Sequence, residues 1–317
     1  MNSSIQRMKI GILGYGAQGS AEATNLRRSD IPFTIGLREG ASKEKAIKDG
    51  FAPVTPEECV LKSEVILFNL PDQSQAAAYE KLIRGSKVKY LIFAHGFSTT
   101  FKKIPVEANG PHHVLIAPKG AASGLIRYYK EPQALPAILA WASVTQSEIL
   151  PADKKWIEDL ALAMGCHPKA LVWANFKDEA VCDLFSEQAL LCGGVSSLLR
   201  NSYEVLVEAG YDPTTAYFET LFELKLIVDL IWTDGISGMR SRISPTARYG
   251  DVTRGDRIID ESTKEKMRVV LKEVESGLFA NEFLEKVESQ EYKNRLEAQA
   301  KHPIETGGRK IREGMRF

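Results

Sequence analysis

The sequence predicts a doubly wound, mostly parallel α/β sheet followed by an all-α domain, and three observations carry that expectation. A short apolar run, MKIGIL, leads straight into the glycine turn GYGAQG and a helix opening at SAEATNLRR. Apolar strand-like runs then alternate with helical patterns as far as about residue 175. Beyond Phe176 the pattern becomes that of long helices. Alternation of strand and helix places helices on both faces of a parallel sheet, whereas a long helical tail needs a core of its own. The expected domains are therefore 1–175 and 176–317, and a chain of 317 residues is long enough for two.

After MKIGIL come FTIGL, SEVILFNL, KYLIFAHG, HVLIAPKG, PAILAWASV and ALVWANF. Each is short and nearly continuous in apolar residues, as strands buried on both faces must be. The segments KEKAIKDG, QAAAYEKLI and DKKWIEDLALAMG supply helices in several of the gaps. The second domain is read as DEAVCDLFSEQALL, a helix over 214–232, KEKMRVVLKEVESGLFANEFLEKV and EYKNRLEAQAKH.

Gly14, Gly16 and Gly19 form G-x-G-x-x-G between a strand and a helix, the setting a dinucleotide fingerprint requires. Glycines there let backbone N–H groups approach a pyrophosphate at the helix N-terminus, where the helix dipole favours anions. The second strand ends near Arg38, where such folds read the adenosine ribose. An arginine suits the 2′-phosphate of NADP, with Ser42 and Lys43 as further donors, although Glu39 stands beside them. Three more strand ends carry polar residues: Asn69 to Gln73, His95 and Lys119. Strand ends are where ligands sit in these sheets, so His95 is a candidate proton shuttle or donor and Lys119 a candidate anion contact.

Two acidic pairs at helical spacing, Asp183 with Glu187 and Glu219 with Glu223, share faces with apolar residues. The first face continues through Leu190, Leu191 and Gly194, the second through Leu226, Ile227 and Leu230. A carboxylate buried on such a stripe must be neutralised, paired with a base such as Lys225, or bound to a cation. Four oxygen donors with no Cys or His beside them suit hard divalent ions such as Mg²⁺.

Composition narrows the classes. The 41 basic and 41 acidic residues cancel, and no basic run with interleaved aromatics points to nucleic acid or anionic membrane. The four cysteines, at 59, 166, 182 and 192, form neither a C-x-x-C pair nor a zinc spacing. With no signal-like N-terminus and no long apolar stretch, the expectation is a reduced, soluble, cytoplasmic protein.

Taken together, GYGAQG, GLREG, LPDQ, AHGF, APKG, DLFSEQALLCGG, AYFETLFELKLIVDL, ISPTARYGD, SGLFA and HPIETGGRKIR resemble, in order and spacing, the short-form (class I) ketol-acid reductoisomerases of branched-chain amino-acid biosynthesis. The resemblance covers essentially the whole chain. It implies NADPH, two Mg²⁺ ions, an N-terminal Rossmann domain and a knotted helical C-terminal domain. It also implies a homodimer, or a larger assembly of dimers, acting on a small 2-hydroxy-3-keto acid such as 2-acetolactate. By position, Asp183 matches the aspartate that bridges the ions, Glu187 the second ligand on that helix, and Glu219 and Glu223 the pair supplied by the partner subunit. Ser244 matches a substrate-carboxylate contact; His95, Lys119 and Glu187 match catalytic groups. Gly14, Tyr15, Gly16, Gln18, Gly19, Arg38, Ser42, Pro71, Asp72 and Gly120 match cofactor contacts.

The chain departs from the family pattern near the same site. The family has Gly at Ser186, His at Phe222, S-N-T-A-E-Y where Ser244–Tyr249 reads S-P-T-A-R-Y, and P-G-x-x-V-R at 121–127. Arg248 reverses a charge beside the serine, and Pro245 removes a donor. These changes leave open a relative specialised for another keto acid, a metal-independent NADP hydroxyacid dehydrogenase and a non-catalytic cofactor-binding paralogue.

Overall fold

The computed structural model describes residues 5–314. Two compact units emerge, Met1–Cys182 and Asp183–Phe317. The first holds seven strands: β1 (Ile10–Leu13), β2 (Phe33–Gly36), β3 (Val65–Phe68), β4 (Tyr90–Phe93), β5 (His112–Pro118), β6 (Leu135–Ala142) and β7 (Cys166–Trp173). Their order across the sheet is β2-β1-β3-β4-β5-β6-β7, and every pairing is parallel except the antiparallel β5–β6. All seven runs read from the sequence are strands. The unit's helices are α1 (Ala17–Arg28), α2 (Ala41–Lys48), α3 (Pro56–Lys62), α4 (Asp72–Ala78), α5 (Phe97–Thr100), α6 (Ala122–Arg127), α7 (Pro151–Ala163) and the start of α8 (Phe176–Ser186).

The continuous apolar strands are explained by two cores, one on each face of the sheet. Ile12, Leu67, Ile92 and Ile116 point to one face and meet Leu26 of α1 and Trp156, Ile157 and Leu160 of α7. Leu13, Phe68, Phe93 and Leu115 point to the other and meet Val60 of α3 and Phe176 of α8. Because strand side chains alternate faces, a strand covered on both sides shows no polar period at all.

Parallel pairing from β1 through β5 brings four carboxyl ends to one edge of the sheet. The turn 14–19, residues 69–72, His95 and Lys119 follow those four strands in turn. The chain leaves β1 toward β2 on one side and continues from β3 on the other, so β1 and β3 flank the switch point where such sheets open a binding crevice.

The second unit is helical: α9 (Gly193–Glu208), α10 (Pro213–Tyr217), α11 (Glu223–Arg242), α12 (Pro245–Ile258), α13 (Glu261–Glu275), α14 (Leu278–Lys286), α15 (Gln290–Ala300) and α16 (Pro303–Gly314). α11 breaks at Gly235, whose φ of 71° no helix accommodates. A small buried cluster of Tyr203, Ala216, Tyr217 and Ile304 forms a core in this unit. Large apolar side chains remain outside it, including Leu191, Val205, Leu226, Ile236 and Trp232, the last 85% exposed. Among the described residues no helix is long and apolar enough to cross a membrane.

Candidate active site

At the glycine turn, Gly14 adopts φ 98°, and a Cβ there would lie 2.2 Å from the Asn69 carbonyl oxygen. Only glycine lets the ends of β1 and β3 approach so closely. Gly16, the N-cap of α1, is exposed, and a Cβ on it would meet nothing within 4 Å. An open, side-chain-free helix N-terminus is what a pyrophosphate requires, so these residues fit a dinucleotide. The side chain of Tyr15 is turned away from any such ligand: it is buried, and its hydroxyl donates to Asp49 Oδ2 at 3.0 Å, so only the residue's backbone is available to a cofactor. Burial, and then the bond to Asp49, hold that phenol well above its ordinary pKa.

Beyond β2, Arg38, Ser42 and Glu39 are exposed. Glu39 is tied to Lys43 at 2.5 Å, which offsets the acid that complicates the ribose site in the sequence. Pro71 caps α4 and Asp72 is its first residue. Burial raises the Asp72 pKa, with Glu179 adding to the rise and His95 opposing it. Gly120 follows Lys119 in an exposed turn.

The chemistry at this edge centres on a residue the sequence reading passed over. Glu179, in the first turn of α8, is buried with its side chain 0% exposed. Its Oε1 accepts from Lys119 Nζ at 2.6 Å, its Oε2 from the Gly96 amide at 2.8 Å, and His95 Nε2 stands 3.9 Å from Oε2. Gly96 permits this arrangement, since a Cβ there would stand 2.7 Å from the Phe176 carbonyl oxygen and 2.9 Å from Glu179 Oε2. His95 and Lys119, expected at separate strand ends, are thus gathered on one buried carboxylate. The missed signal is the spacing: Glu179 precedes Asp183 by four residues, one turn earlier on α8, and extends the acidic face back toward the sheet.

The acids of the second unit depart from the sequence reading in two respects. Asp183 is half-buried, but Glu187, Glu219 and Glu223 are exposed, because the stripes they were expected to share are uncovered in a single chain: Leu190 is 56% and Leu226 48% exposed. Periodicity identifies an apolar face but not what covers it. Neither pair sits wholly in regular α-helix, either: Asp183 belongs to α8 and Glu223 opens α11, but their partners do not. Glu187 opens a π-helical turn, Glu187–Leu191, and Glu219 lies in another, Phe218–Phe222, closed by the Glu223 amide on the Phe218 carbonyl. Single π turns recur at functional sites because they redirect side chains within a helix. Lys225, the base considered as a partner for the acids, pairs instead with Asp229 at 2.7 Å. Among the described residues the four carboxylates do not converge into a group with ligand atoms within 4.8 Å of one another.

Ser244 caps α12, its Oγ accepting from the Ala247 amide at 3.1 Å. Pro245 occupies the first helical position, where its missing N–H costs nothing. Arg248 is exposed one turn beyond the serine. Ser186 Oγ donates to the Asp183 carbonyl at 3.0 Å, and Phe222 lies in the π turn, edge-on to Phe218 at 5.9 Å.

A glycine cradle at the switch point of a doubly wound sheet, a buried carboxylate–lysine pair at the same sheet edge, and a second, helical unit in the same chain together define a two-domain dinucleotide-dependent oxidoreductase. Residues 4–168 match the family model "Acetohydroxy acid isomeroreductase, NADPH-binding domain", and residues 176–317 match "Ketol-acid reductoisomerase, C-terminal domain". The chain belongs to the ketol-acid reductoisomerase family. Ketol-acid reductoisomerases (NADP(+)) of Clavibacter sepedonicus and Clavibacter michiganensis are each 40% identical to it, over 98% of this chain and 91% of theirs. A structure described as an NADH-preferring ketol-acid reductoisomerase from an uncultured archean superposes with a TM-score of 0.88 at 37% identity, covering 98% of this chain and 96% of that one. Plasmodium falciparum pyrroline carboxylate reductase shares the fold alone, with a TM-score of 0.54 at 13% identity over 86% of this chain and 98% of its own.

Proposed function

We propose that the protein is an NADPH- and Mg²⁺-dependent ketol-acid reductoisomerase, converting a 2-hydroxy-3-keto acid such as 2-acetolactate to a 2,3-dihydroxy acid by alkyl migration and reduction. The observation that carries this reading is α8, which presents the Lys119-bound Glu179 and, one turn on, Asp183. The carboxylate oxygens it carries fit a hard cation. Asp183 and Glu187, with Glu219 and Glu223 of the partner subunit, would hold two Mg²⁺ ions. Magnesium held there would supply Lewis acidity for the substrate's oxygens, and NADPH held at the glycine turn would supply reducing power as hydride.

The chain's own residues bind and move protons. Ser244 orients the substrate carboxylate. Glu187 takes the proton from the substrate hydroxyl. Glu179 supplies the counter-charge that fixes the Lys119 ammonium, which with His95 hydrogen-bonds oxygen as negative charge develops on it. The reading is tested by NADPH oxidation with 2-acetolactate, 2-aceto-2-hydroxybutyrate and a panel of 2-keto acids, with and without Mg²⁺. Turnover that survives chelation sinks the metal-dependent reaction. Activity only on an acceptor bearing an additional negative charge favours a specialised relative, which the exposed Arg248 beside Ser244 supports.

Cofactor choice rests on Arg38 and Ser42, since one relative is described as NADH-preferring. Arg38→Asp exchanges a charge-assisted bond to the 2′-phosphate for repulsion, about 2 kcal/mol or roughly 30-fold in relative catalytic efficiency toward NADH. Equal efficiency of the unaltered enzyme with both cofactors overturns this expectation.

The exposed acids and apolar faces of the helical unit support a homodimer in which each site draws Glu219 and Glu223 from the neighbour. Covering a large apolar side chain is worth about 1.5–3 kcal/mol, so the faces around Leu191, Leu226 and Trp232 favour an obligate interface. Co-expression of Asp183→Asn with Glu219→Gln chains, each inactive alone, is expected to restore up to about half of the activity, because one of two related sites keeps all four acids. A verified heterodimer without activity excludes the shared site.

A further inference from the structure

Glu22 is a buried carboxyl inside the cofactor-binding helix. On α1, three residues past Gly19, it is 1% exposed. Its Oε1 accepts from Gln18 Nε2 at 2.8 Å and its Oε2 from Asn69 Nδ2. Both amides border the glycine turn: Gln18 lies within the fingerprint, and Asn69, just after β3, has its Cβ 3.4 Å from where a Cβ on Gly19 would stand. Among the described residues, the groups bearing on Glu22 from α1, the end of β3 and β7 are these two amides and the Cys166 thiol, and none is charged. Bases that reach α1 bond elsewhere, Lys45 to Ser20 Oγ at 3.0 Å and Arg28 to Asn25 Oδ1 at 3.2 Å. A buried carboxylate with amide donors but no cation is costly when ionised.

We propose that Glu22 is a positioning residue for the dinucleotide and that it takes up a proton when the cofactor binds. The two protonation states demand different amide orientations. An ionised Glu22 accepts from both amides, so that both N–H₂ groups face inward and an anion lies buried behind the pyrophosphate site. A protonated Glu22 donates its O–H to one amide oxygen, so that amide turns over and frees its N–H₂ for an anionic ligand. Both effects make the protonated form the better binder of a negatively charged cofactor. Burial pushes Glu22 up to about 7, against the opposing Asn69 and Gln18 bonds, so the exchange falls within the working pH range. The Cys166 thiol, raised to about 12 by burial and then by Glu22, stays neutral throughout.

The inference rests on NADPH occupying the glycine turn, and the test separates the two. NADPH affinity of the full-length enzyme is measured from pH 6 to 9, alongside calorimetry in two buffers of different ionisation enthalpy. Affinity is expected to weaken above about pH 7 by up to about tenfold per pH unit, the slope of one proton, with net proton uptake at pH 7.5. The 2′-phosphate cannot mimic this: with a pKa near 6, a site that prefers its dianion releases protons. In Glu22→Gln, which supplies the turned amide pair without a titrating group, the uptake and the slope are expected to vanish while tight binding persists to pH 9. Unaltered pH dependence in Glu22→Gln, or no proton uptake by the wild-type enzyme, overturns the inference; absence of NADPH binding at every pH overturns the cofactor site itself. The wild-type calorimetry decides the matter even where the variant does not fold.

Discussion

Replacing Asp183 with asparagine is expected to abolish Mg²⁺-dependent turnover while leaving NADPH affinity within about twofold of wild type. Asparagine keeps the size of the side chain and its place on α8, so the loss is one of charge. A carboxylate shared by two cations contributes several kcal/mol through the transition-state charge they stabilise, and about 4 kcal/mol corresponds to roughly a thousandfold in rate. The glycine turn lies in the other unit and keeps its geometry. Turnover near wild type would remove Asp183 from the proposed metal site, and loss of NADPH binding would mean that the substitution disrupts the fold instead.

Glu179→Gln is the second substitution with a large expected effect, and it separates charge from shape. Glutamine still offers an oxygen to the Gly96 amide, but Lys119 loses its counter-charge. Breaking a buried ion pair costs about 3–5 kcal/mol; with Lys119 still 29% exposed, about 2 kcal/mol of stability is the expected loss. Activity should fall roughly 100-fold, the smaller end of what a positioned proton donor contributes. Thermal unfolding and steady-state kinetics on one preparation check both figures. A variant less stable but fully active would make the Glu179–Lys119 pair a structural tie with no role in the reaction.

Much of the fold was legible because its signals are local. The apolar runs had no polar alternation because the sheet is covered on both faces, and Gly14 stands where β1 and β3 converge. The candidate site was legible only as acidic spacing along the chain, Asp183 four residues before Glu187, which does not say what they bind. It was not legible where strands far apart in sequence meet. Lys119 and Gly96 reach Glu179 only because β4 and β5 are neighbours and α8 packs on the residues that follow β4.

The sequence by itself therefore determined the order of strands and helices, the glycine cradle and the acidic inventory, since each depends on contacts within one or two turns of chain. Only the tertiary structure decided that Glu179 gathers Lys119 and His95, that the Tyr15 side chain is spent on Asp49, that π turns interrupt both acidic helices, and that Glu22 is buried among amides. Burial and ion pairing depend on which surfaces meet, and a one-dimensional pattern specifies that a face is apolar without specifying its neighbour. The exposed acids and leucines of the helical unit follow the same physics: their stripe is written in the sequence, while no other part of the described chain covers it.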